Sequence, residues 1–143
     1  MKEKINIVFN GATGFIGKHM LEDFDKNKFS VRILTRKISV VQFPELSEIE
    51  IVNADLTDAD SMINALNGIE VMINVAAEVR DKSQMKNVNV LGVKNLVEAV
   101  VKNKVRKVIH LSSVGVVSKS FSKTPFKVDE DAVCNPQNDY ELS

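Results

Sequence analysis

The chain has 143 residues, of which 44% are hydrophobic and 27% charged, so it can bury the core of one domain and is too short for two packed domains. Its 19 basic and 19 acidic residues cancel, which excludes a global field that would recruit nucleic acid or an acidic membrane surface. The single cysteine, Cys134, excludes an intrachain disulfide, and no apolar run approaches the roughly 18 residues of a membrane span. We therefore expect a cytoplasmic protein without nucleic acid, membrane or metal partners.

Five short runs rich in valine and isoleucine recur along the chain, with helical patterns between them. They are Ile5 to Phe9, Val31 to Leu34, Ile49 to Val52, Val71 to Val75 and Val105 to Leu111. Strands that alternate with helices predict right-handed crossovers and a parallel sheet covered on both faces. The pattern predicts an α/β fold of the Rossmann type, a doubly wound parallel sheet with strand order 3-2-1-4-5.

The first predicted strand leads directly into a segment rich in glycine. Glycine permits positive φ angles and close approach of another backbone, and the amide groups that open the next helix can then point at a pyrophosphate. The segment therefore predicts a nucleotide-phosphate cradle; the alternative is a mobile strand-to-helix turn without a ligand. The candidate cofactor-binding residues of this cradle are Gly11, Thr13, Gly14, Phe15, Ile16 and Gly17.

The glycine spacing is G-x-x-G-x-x-G, one residue longer than the common dinucleotide fingerprint G-x-G-x-x-G. With Ala-Thr and Phe-Ile in its gaps, it resembles the extended and atypical short-chain dehydrogenase/reductases, the NAD(P)-dependent epimerase/dehydratase group. The resemblance covers nearly the whole chain and implies hydride transfer on a sugar nucleotide or on another carbonyl or alcohol substrate. It also implies later strands and a substrate domain, so we expect residues 1–143 to be the NAD(P)-binding Rossmann domain of a longer enzyme.

The first helix and the second crossover carry no candidate chemistry of their own. Ile16, Met20 and Phe24 are four residues apart, which predicts the helix face that packs on the sheet, and the positive segment 26–28 is expected to end the helix. The crossover from Ile38 to Glu48 contains a proline and has poor periodicity, which predicts a loop or a short helix.

The second strand ends in Thr35, Arg36 and Lys37. A carboxylate at this position binds the ribose hydroxyls of NAD, whereas a cation accommodates the extra phosphate of NADP. Because arginine offers planar donors that match a phosphate, these residues favour NADP over NAD as the cofactor. The alternative is a pair of solvated surface cations.

Asp55 and Leu56 follow the third strand, where the resemblance implies that an aspartate side chain and the next backbone amide hold adenine. The alternative is an ordinary turn aspartate. Downstream, Thr57 and Asp60 resemble a capping box for a structural helix, which Gly68 is expected to terminate.

The fourth strand ends in small residues, Ala76 and Ala77, which the resemblance places close to the cofactor; tight helix packing is the alternative. In the helix from Gln84 to Asn103, apolar residues spread over half the circumference, which predicts two buried faces. One would meet the sheet; the resemblance implies that the other packs against a second subunit, and a thick monomer core is the alternative. The resemblance implies that Asn89 supports the active-site backbone, although Val93 replaces the threonine of the family's motif. Asparagine near a helix start is also a common cap.

The fifth strand closes with Ser112 and Ser113, at the sheet edge where ligands bind in open α/β folds. The resemblance makes Ser113 the catalytic hydroxyl, with Ser112 as the second choice and strand-end capping as the alternative. His110 is expected to pack against a helix. Tyr140, the only tyrosine, matches the start of the family's Tyr-x-x-x-Lys motif and is expected to exchange the substrate proton.

The lysine of that motif would follow Ser143, the last residue of the sequence. A free tyrosine ionises only near pH 10, and the lysine of the family lowers that value. We therefore expect Tyr140 to stay protonated in these 143 residues, which would bind a cofactor but catalyse poorly.

Two further expectations concern partners. A second hypothesis for the function is a non-catalytic NADP(H)-binding module that senses the cofactor or regulates another protein. The apolar strand Val105 to Leu111 is expected to be a sheet edge, which favours pairing with another chain. We expect a homo-oligomer that forms through this edge, through the fourth helix, or through both.

Overall fold

A computed structural model describes residues 3–38, 49–117 and 128–143, and its strands form one five-stranded parallel sheet. The order is β3-β2-β1-β4-β5, as the apolar runs predict. Every neighbouring pair is parallel, so all five carboxyl ends lie along one edge of the sheet. The strands are β1 Ile5–Asn10, β2 Phe29–Thr35, β3 Glu50–Asn53, β4 Val71–Asn74 and β5 Lys107–His110.

The described ranges contain five α-helices, none of which is long and apolar enough to cross a bilayer. They are α1 Phe15–Glu22, α2 Ala59–Ala65, α3 Lys82–Met85, α4 Val93–Lys102 and α5 Asp139–Leu142. A π-helical stretch, Lys86–Gly92, joins α3 to α4, and a 3-10 turn spans Val114–Val117. Apart from Ile38, the predicted loop at 38–48 lies outside the described residues.

The core has two layers, one on each face of the sheet. Val8 and Met72 pack with α2 and α4 on one face, whereas Ile7 and Phe9 pack with α1 on the other. Successive residues of a strand point to opposite faces, which is why neighbouring residues of β1 belong to different layers. Because both faces are covered, the carboxyl edge of the sheet is left open for a ligand.

The face of α1 that packs on the sheet agrees with the prediction in part. Met20 and Phe24 pack against the same core layer as Phe9, with the rings of Phe24 and Phe9 5.6 Å apart, although Phe24 lies beyond the end of the helix. Ile16 is instead 46% exposed, and the buried residues of the helix are Gly17 and Leu21. The cause is a close backbone contact: a Cβ on Gly17 would lie 2.6 Å from Cα of Ala12. This contact turns the glycine side of the helix toward the sheet.

The helix also ends earlier than predicted, at Glu22 with Asp23 as its C-cap. The expected positive end at 26–28 belongs to the following turn, where Lys28 pairs with Asp25 at 3.1 Å. That ammonium and the amide of Asn27 hold the pKa of the Asp25 carboxyl below its usual value.

The cap of α2 lies one residue later than predicted. Asp58 accepts the amide of Ser61 at 3.0 Å, whereas the hydroxyl of Thr57 donates to Asp55 at 2.9 Å. Because Asp55 also accepts the amide of Thr57, the threonine belongs to the turn before the helix. Gly68 has a φ of +74°, the left-handed conformation expected after a helix.

The predicted fourth helix consists of three successive helical segments in the structure: α3, the π-helical stretch and α4. Its expected second buried face is solvent-exposed: Leu96 and Ala99 are buried, whereas Val97 and Val101 are 56% and 71% exposed. No element of the described chain packs against that outer face. The π-helical stretch ends at Gly92, whose Cβ would lie 2.9 Å from the Cβ of Leu56.

Candidate cofactor site and active site

A cavity of about 460 Å³ opens at the carboxyl edge of the sheet, between the ends of β1 to β4. We call it the cofactor cavity. Its wall brings together nine of the candidate cofactor residues from four separate strand ends: Gly11, Thr13, Thr35, Arg36, Lys37, Asp55, Leu56, Ala76 and Ala77. The other glycine-loop candidates, Gly14, Phe15, Ile16 and Gly17, begin α1 beside it.

The glycine loop has the geometry of a backbone cradle. Gly11 has a φ of +89°, and a Cβ there would lie 2.6 Å from the amide nitrogen of Ala76, so only glycine fits. The amide of Gly14 donates to the carbonyl of Gly11 at 3.0 Å. No side chain caps α1, whose first amides therefore remain available to an anion.

The exposed rim of the cofactor cavity carries two cations. The amide of Lys37 donates to the hydroxyl of Thr35 at 3.2 Å, and Asn53 donates to the carbonyl of Arg36 at 3.3 Å, so the backbone of this rim is held. Within the described ranges, the side chains of Arg36 and Lys37 have no hydrogen-bond or ion-pair partner. Both cations thus line the cavity at a position that suits an anionic ligand.

The loop after β3 is fixed by side chains that the sequence analysis did not single out. Asp55 donates its amide to the hydroxyl of Ser61 at 3.1 Å, and Asn95 of α4 donates to the carbonyl of Leu56 at 2.8 Å. Nothing in the local sequence links Ser61 or Asn95 to this loop, because their contacts depend on how α2 and α4 pack.

A second cavity, of about 290 Å³, lies beside the first and shares Ala76 and Ala77 with it. We call it the catalytic cavity after the candidate catalytic residues Ser113 and Tyr140, which both line it. Ser113 accepts the amide of Gly115 at 3.1 Å, which is the strand-end capping of the alternative interpretation. The capping uses an oxygen lone pair, so the hydroxyl proton can still be donated.

Asn89 lines the catalytic cavity rather than the cofactor cavity. Its oxygen accepts the amide of Glu78 at 2.8 Å, and its nitrogen donates to the carbonyl of Glu78 and to the hydroxyl of Ser143, both at 2.9 Å. Ser143 in turn donates to the carbonyl of Tyr140 at 2.8 Å. Asn89 thus ties the loop after β4 to the helix that carries Tyr140.

The alternative interpretation of Asn89 as a helix cap is wrong, because Asp81 caps α3 and Asn89 lies within the π-helical stretch. The same loop is held by Glu78. Its carboxylate accepts the amides of Arg80 and Asp81 at 2.8 and 3.0 Å, and these bonds hold the pKa of Glu78 below its usual value.

His110 does not pack against a helix as expected. It lies on the edge strand β5, is exposed, lines the catalytic cavity and bonds to Asn74 at 3.0 Å. Asn74 in turn accepts from Asn10 at 2.8 Å. No sequence pattern indicates this contact, because its three members lie on three different strands.

Comparison with known proteins gives concordant results. The model of the NAD dependent epimerase/dehydratase family matches residues 7–143. A putative UDP-glucose 4-epimerase of Methanocaldococcus jannaschii is 32% identical over 145 residues, which cover 96% of this chain and 47% of that protein. The chain is also 32% identical over 142 residues to the N-acetyl-alpha-D-glucosaminyl-diphospho-ditrans,octacis-undecaprenol 4-epimerase of Escherichia coli O157:H7, covering 96% of this chain and 40% of that protein.

A solved structure of a mutated uronate dehydrogenase superposes with a TM-score of 0.83 at 23% identity. The match covers 98% of this chain and 50% of that one, and it supports the fold alone. The chain thus spans half or less of the length of these proteins.

Proposed function

Because the chain belongs to the NAD dependent epimerase/dehydratase family, we propose that its cofactor cavity holds a nicotinamide dinucleotide and that its catalytic cavity holds a small-molecule substrate. One observation carries the proposal. The left-handed Gly11 brings the glycine loop against Ala76, a residue that both cavities share. A dinucleotide in the first cavity would therefore adjoin the Ser113 and Tyr140 hydroxyls in the second.

The described residues fit the chemical groups of a dinucleotide. The uncapped amides of α1 suit a pyrophosphate, whose negative charge also favours the helix N-terminus. The carboxylate of Asp55 and the amide of Leu56 suit adenine, since they combine an acceptor with a donor at one cavity wall. The cations of Arg36 and Lys37 at the cavity rim suit an additional phosphate, so we propose NADP rather than NAD as the preferred cofactor.

When bound, the nicotinamide cofactor supplies or removes a hydride. The chain's own hydroxyls would act on the substrate oxygen: Ser113 donates a hydrogen bond that polarises it, and Tyr140 exchanges its proton. We propose a sugar nucleotide as the substrate, with a ketone, aldehyde or alcohol as the alternative. No lysine of the described residues bonds to either hydroxyl, so we expect residues 1–143 by themselves to bind the cofactor without appreciable turnover.

A cytoplasmic location agrees with this proposal. A dinucleotide-dependent reductase or epimerase needs the cellular cofactor pool, and the exposed thiol of Cys134 suits a reducing compartment.

The cofactor preference can be tested by titrating the protein with NADPH and NADH while nucleotide fluorescence is recorded. The chain contains no tryptophan, so the protein contributes little background. We expect tighter binding of NADPH, and Arg36→Ala should weaken it by about ten- to a hundredfold, since a charge-assisted bond is worth about 1.5–3 kcal/mol. NADH binding should change little.

Lys102→Ala, at the end of α4 and outside both cavity walls, is the matched control for removal of one positive charge. If Arg36→Ala and Lys102→Ala weaken both nucleotides equally, Arg36 does not contact the extra phosphate. If neither nucleotide binds the unaltered chain, the proposed cofactor site is wrong for these residues.

The second candidate function is a dinucleotide-binding module that regulates a partner without turnover. The outer face of α4 favours it, because Val97 and Val101 offer an apolar surface for another protein. Turnover distinguishes the two functions: a protein that contains residues 1–143 and reduces or epimerises a substrate is an enzyme, whereas a regulatory module only binds the cofactor.

A further inference from the structure

Three polar side chains lie side by side across the sheet. Asn10 of β1, Asn74 of β4 and His110 of β5 are partners in the strand register, so their side chains share one face. The nitrogen of Asn10 donates to the oxygen of Asn74 at 2.8 Å, and the nitrogen of Asn74 bonds to Nδ1 of His110 at 3.0 Å. We call these residues the polar row.

The bonds of the polar row depend on one another. Asn74 is fully buried and has one accepting and one donating end, so its two neighbours must face it with opposite character. In the structure, Asn74 donates to His110, so Nδ1 accepts and a neutral ring carries its proton on Nε2. The only other consistent arrangement reverses every bond: Nδ1–H donates to Asn74, and Asn74 donates to the oxygen of Asn10.

The two ends of the polar row open to different cavities. Asn10 lines the cofactor cavity, and its oxygen has no partner within residues 3–38, 49–117 and 128–143. That oxygen is accessible, since no buried side-chain nitrogen or oxygen of the described part lacks a partner. His110 lines the catalytic cavity together with Ser113. The buried Asn74 is the link between them.

We propose that the polar row is a positioning element that couples the two cavities, an inference that rests on the proposed function for its role in binding. A substrate hydroxyl or carbonyl oxygen that accepts the Nε2 proton of His110 stabilises the arrangement in which Asn10 presents its oxygen to the cofactor. The opposite arrangement presents the amide nitrogen of Asn10 instead. A cofactor N–H or O–H group that donates to the oxygen of Asn10 selects the same orientation of the row, so substrate and cofactor then strengthen each other's binding.

The coupling can be tested without any ligand by a substitution at residue 10, the end of the polar row that lies in the cofactor cavity. The new side chain must be able only to accept hydrogen bonds. In Asn10→Asp at pH 8, the ionised carboxylate can only accept, so Asn74 must turn its nitrogen toward residue 10 and its oxygen toward His110. The ring of His110 then loses its Nε2 proton to water and takes one at Nδ1, with no change of charge. The change occurs two strands away, at about 5 Å per strand.

Nitrogen NMR of the imidazole rings measures this directly, because the chain has only two histidines. In the unaltered chain, we expect Nδ1 of His110 to give the signal of an unprotonated nitrogen and Nε2 that of a protonated one. Asn10→Asp should exchange the two signals. His19, which is exposed on α1, should keep its signals in both proteins and serves as the internal control.

Two further variants distinguish two possible causes of the exchange of the His110 signals: the hydrogen bonds of the polar row, and the negative charge introduced at residue 10. In Asn10→Asp combined with Asn74→Leu, the charge remains but the relay is removed, so His110 should keep its original tautomer. In Asn10→Ser, a hydroxyl can donate or accept, so the unaltered signals should return. Unchanged His110 signals in folded Asn10→Asp, or an exchange that persists when Asn74→Leu is added, would overturn the proposal.

NADPH provides a further test of the coupling. NADPH favours the orientation that the unaltered chain already has, so Nδ1 and Nε2 of His110 should keep their assignments, whereas in Asn10→Ser, whose hydroxyl fixes neither orientation, any minor exchanged signals should diminish when NADPH binds. If NADPH binds and exchanges the two His110 signals of the unaltered chain, the coupling is wrong. If NADPH does not bind while Asn10→Asp exchanges the signals, the polar row stands and the proposed cofactor site is wrong.

Discussion

Gly11 and Gly68 both have a positive φ angle, but a side chain at these two positions would have different surroundings. Both have positive φ, +89° and +74°, but a Cβ at Gly11 would meet the backbone of Ala76, whereas one at Gly68 would meet nothing within 4 Å. Replacing each glycine by alanine therefore separates two losses of stability. Both variants have the cost of a side chain at positive φ, whereas only Gly11→Ala adds a clash with Ala76.

We predict that Gly68→Ala lowers the free energy of unfolding by about 1 kcal/mol, the cost of a left-handed alanine. Gly11→Ala should cost clearly more and also abolish nucleotide binding, because relief of its contact must move the loop or Ala76. Urea unfolding and NADPH titration of both variants provide the measurement. Equal losses of stability, with binding intact in Gly11→Ala, would contradict the close approach.

The sequence was sufficient to predict the positive φ of Gly11, because that angle belongs to the turn after β1, whereas the contact with Ala76 depends on the position of β4. The sequence was insufficient for His110, whose interpretation as a packed residue was wrong. The partners of His110 are 36 and 100 positions away in sequence, and only strand register brings Asn74 and Asn10 beside it. Side-chain contacts between strands that are distant in sequence cannot be predicted from the spacing of apolar residues within one strand.

At the scale of elements, the start of α2 shows a competition between two neighbouring side chains for one role. Thr57 has the residue type of a cap, but its hydroxyl and amide are both held by Asp55. Asp58 therefore caps the helix. A prediction from residue type missed the cap by one position because it did not include the preceding turn.

We predict that Asp58→Ala lowers the free energy of unfolding by about 1 kcal/mol, since it leaves the amide of Ser61 without its cap. Asp60→Ala removes the same charge from the first turn without removing a cap, and should cost less, about 0.3–1 kcal/mol. Denaturant unfolding of the two proteins gives the comparison. A larger loss for Asp60→Ala would mean that charge, and not capping, stabilises this end.

Strand order was predictable because each strand is a short apolar run and because the helices between them demand crossovers. The burial of Gly17 in α1, with Ile16 exposed, was not predictable from the same rule, because an apolar stripe predicts the buried side only where side chains set the packing. In α1 the closest contact is made by Gly17, which has no side chain. Where a helix makes its closest contact through a glycine, the spacing of apolar residues does not predict that contact.

At the scale of the whole molecule, the outer face of α4 and the edge strand β5 lack a covering element in the described chain. Val108 and Ile109 are exposed on β5, as are Val97 and Val101 on α4. Apolar surface and unpaired strand groups both favour association, so we propose that two copies of this chain bind through these surfaces.

We predict that light scattering detects a concentration-dependent dimer, and that Val97→Lys with Val101→Lys shifts the protein to monomer. Because both residues are exposed, the stability of the monomer should change by less than about 0.5 kcal/mol. Glu22→Lys, on the opposite face of the sheet, is the control for a change of charge. A monomer at high concentration in the unaltered chain would contradict the proposed association.

Because α4 contacts the loop after β3, we expect self-association through α4 to affect nucleotide binding as well. Asn95 holds the carbonyl of Leu56, and Gly92 lies against the side chain of the same residue. Self-association through α4 would therefore act on this loop, which carries the proposed adenine site of the cofactor cavity. By reciprocal linkage, the apparent dissociation constant for the nucleotide should then depend on the protein concentration at which it is measured.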